Sequence, residues 1–180
     1  HFLEVLVPKF CDSAISIAFC RSILFKENGL IGPTGPTNIK DGTIDGIRFI
    51  HDYMKTGTGI VNASSAIFKK ESFLTISKGY TTFKGAGDRF FWILLAETGD
   101  ITFVEKPYNY FRVHTDNTTK KRNTDGTNQK EDKRIFDYIC QKGYLSKEEI
   151  SSIKLFYARV HIFEMISDKK LQQELYKIWE

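Results

Sequence analysis

Asp88 has the setting in this sequence that most favours acid–base chemistry. It lies between Gly87 and the apolar run Phe90–Ala96, in the segment GAGDRFFWILLAETG (85–99). Such a run predicts a buried helix, and an aspartate at its entrance can act as an N-cap that accepts backbone N–H groups. The same position would hold a carboxylate rigidly on a bend that a substrate can reach, as a general base requires. The sequence leaves both roles open, and they are compatible.

Arg112 and His114 form a second candidate pair at the end of the strand-like stretch YNYFRVH (108–114). Alternate side chains of a strand share one face, so the guanidinium and the imidazole are predicted to lie side by side. A cation and an imidazole at a strand end, followed by a polar loop, suit a diphosphate or a metal–diphosphate complex. The alternative is that His114 is a structural residue.

Two longer segments, NASSAIFKKESF and GAGDRFFWILLAETGDITFVEKPYNYFRVHTDNTT, together resemble the C-terminal half of a family-two glycosyltransferase with the GT-A fold. The similarity covers roughly residues 2–119. The motifs that carry it, in chain order, are Ala66–Phe73, Gly87-Asp88, Phe91–Leu95, Gly99, Ile101–Pro107 and Tyr110–His114.

The resemblance implies that Asp88 is the general base of an inverting transferase. It would deprotonate an acceptor hydroxyl, which then attacks the anomeric carbon of a nucleotide-sugar donor. A divalent metal ion, Mg²⁺ or Mn²⁺, is implied at the donor diphosphate, with His114 as a metal ligand and Arg112 beside the diphosphate. The other substrate-binding residues implied are Asn62, Ala63, Ser64, Ser65, Gly87, Arg89 and Trp92. A saccharide or lipid-linked acceptor is expected, in the synthesis of bacterial surface polysaccharides.

The family's nucleotide-binding half, with its metal-holding Asp-x-Asp motif, has no counterpart in these 180 residues. The opening segment HFLEVLV is similar to the helix that follows this motif in the family. We therefore expect the chain to be a piece of a longer enzyme. Alone, it is expected to hold no metal and to be inactive.

Hydrophobic periodicity predicts an α/β order of elements up to about residue 122. The resemblance implies that residues 1–122 form a partial GT-A-like domain. Alternation in AISIAFCRSILF places Ile15, Ile17 and Phe19 on one face of a strand and Ser16, Ala18 and Cys20 on the other. In chain order we expect a helix at 2–7, a strand at 14–25, a loop at 31–43, a helix at 43–57, a strand in the short apolar segment at 59–73, a helix ended by Gly99, and strands at 100–107 and 108–114 separated by Pro107.

From about Asn123 the pattern becomes helical, and residues 123–180 are predicted to form an all-helical extension. Ser146 and Glu149 form a capping box at the start of one helix, and another helix is expected at 169–179. Three roles stay open for the extension. It could dock on the catalytic part, form a homodimer, or contact a membrane surface through the basic residues between Lys120 and Arg134.

Composition and cysteine spacing bear on the partners and the compartment of the protein. Lys and Arg exceed Asp and Glu by only 26 to 22, and no aromatic residues interleave the basic stretch, so we expect no nucleic-acid partner. The three cysteines lack a metal-binding spacing and are expected to be buried, reduced thiols of a cytoplasmic protein, peripheral to the inner membrane face at most. The competing function is a non-catalytic interaction module in which Asp88 only caps its helix.

Overall fold

The computed structural model of the chain describes residues 1–36, 39–113 and 122–180. The chain divides into two compact units. The first unit comprises His1–Lys78 and Asp88–Thr115, and the second unit comprises Gly79–Gly87 and Asp116–Glu180. The first contains a sheet with helices and the second is helical, which confirms the predicted mixed α/β class with C-terminal helices. The predicted domain division after residue 122 stays a prediction.

A mixed sheet of five strands organises the first unit. The strands are β1 (Ile15–Lys26), β2 (Gly29–Thr34), β3 (Gly42–Ile44), β4 (Ala66–Phe68) and β5 (Asp100–Arg112). The strand order is β2-β1-β5-β3, and β4 pairs with β1. Strands β1 and β5 are parallel, whereas the other pairs are antiparallel. Along one edge of β1, β4 pairs with the first half of the strand and β2 with the second half.

Four helices accompany these strands: α1 (Phe2–Leu6), α2 (Gly46–Phe49), α3 (Lys70–Thr75) and α4 (Gly87–Ala96). Helix α2 continues as a π-helix over Ile50–Met54. It begins where the Asp45 carboxylate accepts the N–H of Arg48 at 2.8 Å, a side-chain cap of the usual kind.

Both faces of β1 are buried, because its alternating side chains pack against different helices. Phe19 makes an edge-to-face contact with Phe49 of α2, with ring centroids 5.8 Å apart. On the opposite face, Ala18 and Cys20 form a buried cluster with Leu6 of α1, and this burial raises the pKa of the Cys20 thiol. The alternation predicted for this strand is therefore the observed one, with the core on both sides.

The second unit contains α5 (Thr127–Gln141), α6 (Lys147–Phe156), which continues as a π-helix over Tyr157–Glu164, and α7 (Lys169–Trp179). The capping box of Ser146 and Glu149 is present at the start of α6, as predicted. In the core of this unit the Trp179 indole stacks on the Tyr157 ring, with centroids 4.1 Å apart.

Pro107 does not separate two strands, contrary to the prediction. Strand β5 runs through it, because the register with β1 shifts at this point: Cys20 pairs with Val104, but Ser22 pairs with Asn109. Residues 105–108 lie in this irregularity, where the missing N–H of proline is tolerated.

The predicted loop at 31–43 is also partly wrong, since β2 and the start of β3 occupy both of its ends. Strand β2 contains Pro33, which has no backbone N–H to donate. This is tolerated because β2 is the edge strand of the sheet, where one N–H group can be missing. The helix predicted at 43–57 is shorter and covers 46–54.

All three cysteines are described and carry free thiols, as predicted. Only Cys20 is buried, however: Cys11 is exposed and Cys140 is half-buried, so the expectation that all three are buried is wrong at these two positions. Within the described ranges, no helix has both the length and the apolar character needed to cross a membrane.

Candidate functional site

Asp88 lies in the first turn of α4, and its side chain is exposed. Its Oδ1 accepts the N–H of Arg89 at 2.7 Å, and a carboxylate here is also stabilised by the positive end of the helix dipole. Apart from Phe91, which is half-buried, the residues from Arg89 to Ala96 are buried. The helix therefore gives an accessible carboxylate a firmly packed backbone.

Arg89 is directed into the protein and only 3% of its surface is exposed. Its Nε and Nη2 donate to the carbonyl of Met54 at 3.1 and 2.5 Å. Met54 ends the π-helix, where carbonyl groups lack helical partners and a cation is favourable. This contact gives Arg89 a structural role, and its predicted contact with substrate stays a prediction.

The rings of Phe91 and Trp92 join α4 to the segment that follows the small residues. Phe68 of β4 lies 5.3 Å from the Phe91 ring and 6.1 Å from the Trp92 ring, between centroids. Asp88, Phe91 and Trp92 have i, i+3 and i+4 spacing and so share one face of α4. Phe68 is 38% exposed, whereas Trp92 is buried, and its Nε1 has no hydrogen-bond partner among the described residues. The structure thus brings two predicted segments, 62–68 and 87–96, together.

Asn62 belongs to a polar network that ties a turn to the two central strands. The turn is a 3₁₀ helix over Ala63–Ser65, and the Asn62 side chain caps it by accepting the N–H of Ser64 at 3.2 Å. The Asn62 amide donates to Oδ1 of Asn109 on β5 at 2.5 Å, and Ser22 on β1 donates to the same oxygen at 2.8 Å. The network fixes this turn beside the paired strands.

Within the turn, Ser65 is buried and donates to the Asn62 carbonyl at 2.6 Å, whereas Ala63 and Ser64 are exposed. The small exposed side chains of Ala63 and Ser64 leave the backbone accessible, and the predicted contact of this turn with substrate stays a prediction. The partners Ser22 and Asn109 were missed, because only the register shift between β1 and β5 brings them together.

Arg112 is exposed at the end of β5, and its guanidinium lies 5.3 Å from the ring centroid of Phe25. This cation–π contact orients the side chain at the strand end. His114, the predicted metal ligand, lies outside the described residues. The described residues contain no group of three or more His, Cys, Asp or Glu arranged to hold a metal ion.

Gly87, at the start of α4, is closely packed. A Cβ at this position would lie 2.9 Å from the carbonyl oxygen of Tyr80, which is closer than real contacts allow. Gly87 and residues 84–86 belong to the second unit, in which Glu131 binds the backbone N–H groups of residues 84–86. The sequence analysis missed Glu131, because its neighbours in the chain, Lys130 and Asp132, are charged and give no local signal of a buried acid.

A separate polar cleft of about 300 Å³ lies at the end of the π-helix that continues α2. Its lining residues include Asp52, Tyr53, Thr56 and Thr58. A hydrogen bond with His51, at 2.6 Å, lowers the pKa of the Asp52 carboxyl. None of the predicted site residues that the structure describes lines this cleft.

Comparison of the chain with models of known protein families finds no match, and no curated protein matches it either.

Proposed function

We propose that this chain is the acceptor-side part of an inverting glycosyltransferase that transfers a sugar from a nucleotide-sugar to an acceptor hydroxyl. In this proposal the sheet and helices of residues 1–122 belong to a partial GT-A-like domain. The observation that supports it most directly is the exposed carboxylate of Asp88 on a buried helix. A fixed backbone with an accessible acid is what a general base needs.

Asp88 removes the proton of the acceptor hydroxyl as the acceptor oxygen attacks the anomeric carbon. The bond between that carbon and the diphosphate oxygen breaks, so the configuration inverts and a nucleoside diphosphate leaves. The proton passes from Asp88 to solvent before the next turnover. A positioned base contributes a rate factor of roughly 10²–10⁴.

The leaving group is a diphosphate, and the exposed guanidinium of Arg112 at the end of β5 suits contact with it. Mg²⁺ or Mn²⁺, when bound, would neutralise the charge that develops on this group. We assign that ion to the nucleotide-binding half implied by the resemblance, with His114 as the contribution of this chain.

The acceptor is proposed to lie along the face of α4 that carries Asp88. Phe91 shares this face and contacts the partly exposed ring of Phe68, which offers an apolar surface near an acid. A sugar ring matches this surface, because its C–H groups are apolar and its hydroxyl groups can reach a carboxylate. Ala63 and Ser64, which precede Phe68, leave room at the backbone.

Asp88→Asn tests the proposal in the full-length protein. We expect transfer to fall by a factor of about 10²–10⁴, because the amide cannot take the proton. The measurement is nucleoside diphosphate release with a panel of nucleotide-sugars and saccharide or lipid-linked acceptors. Asp168→Asn is the matched control, since Asp168 is also an acid at a helix start and accepts the N–H groups of Lys170 and Leu171.

If both variants retain full transfer, Asp88 is not the base and the proposal fails at its central step. That result would favour the non-catalytic interaction module. The helical unit offers exposed apolar side chains for such a role, including those of Leu155 and Phe163.

A further inference from the structure

Glu131 of α5 binds the backbone immediately before the helix that carries Asp88. Its carboxylate accepts the N–H of Lys84 at 2.5 Å, and the N–H groups of Gly85 and Ala86 at 2.8 Å each. Only 6% of Glu131 is exposed. A buried carboxylate is costly unless hydrogen bonds satisfy it, and here three consecutive amides do so.

Gly85 shows how closely this segment lies against α5. A Cβ at Gly85 would overlap Oδ1 of Asn128 and lie 3.1 Å from Cδ of Arg122. Asn128 is itself held by a hydrogen bond from its amide to Oδ1 of Asn123 at 2.5 Å. A side chain at position 85 would therefore have to displace the side chains around it, Asn128 first.

Arg134 holds the same segment a few residues earlier. Its Nη2 donates to Oγ1 of Thr82 at 2.8 Å, and its guanidinium lies 4.0 Å from the ring centroid of Phe83. Arg134 follows Glu131 by three residues, so both side chains project from one face of α5. Residues 82–86 are thus bound at both ends to a single helix.

The segment ends at Gly87, the first residue of α4, and Asp88 follows it in the chain. We infer that Glu131 is a positioning residue for the segment that leads into α4: by fixing the amides of residues 84–86, it sets the conformation in which the backbone reaches Gly87. This inference rests on the proposed role of Asp88 as general base.

Glu131→Gln in the full-length protein tests the inference, because glutamine keeps the shape but replaces one acceptor oxygen by a donor. Transfer kinetics and hydrogen–deuterium exchange of residues 82–90 are measured together. We expect kcat to fall about 10- to 100-fold with little change in KM, since displacement of a catalytic group by about 1 Å has effects of this size. Exchange at residues 84–86 should become faster.

Glu164→Gln is the matched control, because Glu164 is exposed on a helix of the same unit. It should leave both readouts unchanged. Glu131→Asp, which keeps the charge, should restore part of kcat. If Glu131→Gln fails to fold, Gly85→Ala disturbs the same backbone with Glu131 intact and should also lower kcat.

The two proposals fail in different ways. If Asp88→Asn abolishes transfer but Glu131→Gln and Gly85→Ala leave kcat unchanged, Glu131 has no positioning role, whatever the exchange rates do. If Asp88→Asn leaves transfer intact, the proposed base is wrong, and the inference about Glu131 falls with it even when exchange at 84–86 increases.

Discussion

The acids of this protein differ in what their neighbours offer them. The exposed carboxylate of Asp88 accepts the N–H of the next residue, whereas the buried carboxylate of Glu131 accepts three backbone N–H groups. The carboxylate of Asp52 differs from both, because it is bound by the side chains of His51 and Arg48. These three acids therefore differ in their contacts, which residue type alone does not reveal.

Replacing His51 by alanine should raise the pKa of Asp52 towards its ordinary value. The hydrogen bond with His51 is the largest cause of the lowered pKa, burial acts in the opposite direction, and Arg48 adds a smaller lowering. Carboxyl ¹³C chemical shifts recorded against pH measure this directly. Arg48→Ala, which removes the longer contact of 3.4 Å, should raise the pKa less.

The stability of the protein should follow the same titration. The pKa of Asp52 is lower in the folded than in the unfolded chain, so its contribution is complete above about pH 4 and is lost as the pH falls through the folded-state value. The His51→Ala variant should lose less stability than the wild type in this acidic range. An Asp52 pKa that stays low in this variant would assign the shift to another group.

At the scale of elements, the start of α2 lies against the end of α4 and the turn after it. A Cβ on Gly46 would overlap the carbonyl oxygens of Ala96 and Gly99. These are backbone atoms, which cannot rotate away as a flexible side chain can. The close approach of α2 therefore depends on glycine at this position.

Gly46→Ala should lower the free energy of unfolding by about 1–3 kcal/mol, the usual cost of inserting a methyl group into a packed site. Urea unfolding followed by circular dichroism measures it. Gly57→Ala is the control, because nothing lies within 4 Å of a Cβ there. Its effect should stay within about 0.5 kcal/mol. Equal effects of the two substitutions would contradict the packing argument.

Local patterns predicted the elements whose causes are local. The alternation of β1 and the capping box at Ser146 depend on neighbouring residues, and the structure has both. The strand through Pro107 depends on a register shift with β1, some 85 positions away in the chain, which no local pattern reports.

In the candidate site, too, features with local causes were predicted and features that depend on distant residues were not. The exposure of Asp88 at a helix start followed from the sequence, since glycine and an apolar run are local features. The burial of Arg89 depends on the Met54 carbonyl, and the role of Glu131 depends on amides more than 40 residues earlier. These contacts form only when distant elements pack, so the sequence could not reveal them.

At the scale of the whole molecule, the second unit has a core of its own that supports α5. Trp179, near the end of α7, stacks on Tyr157 and lies 5.4 Å from the ring centroid of Phe136. Its Nε1 donates to the carbonyl of Gln129 at 3.3 Å, two residues before Glu131. The last helix thus stabilises the helix that binds residues 84–86.

Trp179→Ala should therefore destabilise the second unit by about 3–5 kcal/mol, the range for removing a large buried aromatic side chain. The loss should extend to residues 84–86, whose amides should exchange faster because Glu131 is no longer held in place.

Because the chain has two compact units, a single unfolding curve can mix their transitions, and hydrogen–deuterium exchange separates them. Ile178→Ala is the control, since Ile178 is 37% exposed and should cost much less. If exchange at residues 84–86 stays slow while α7 unfolds, the Glu131 contacts do not depend on this core.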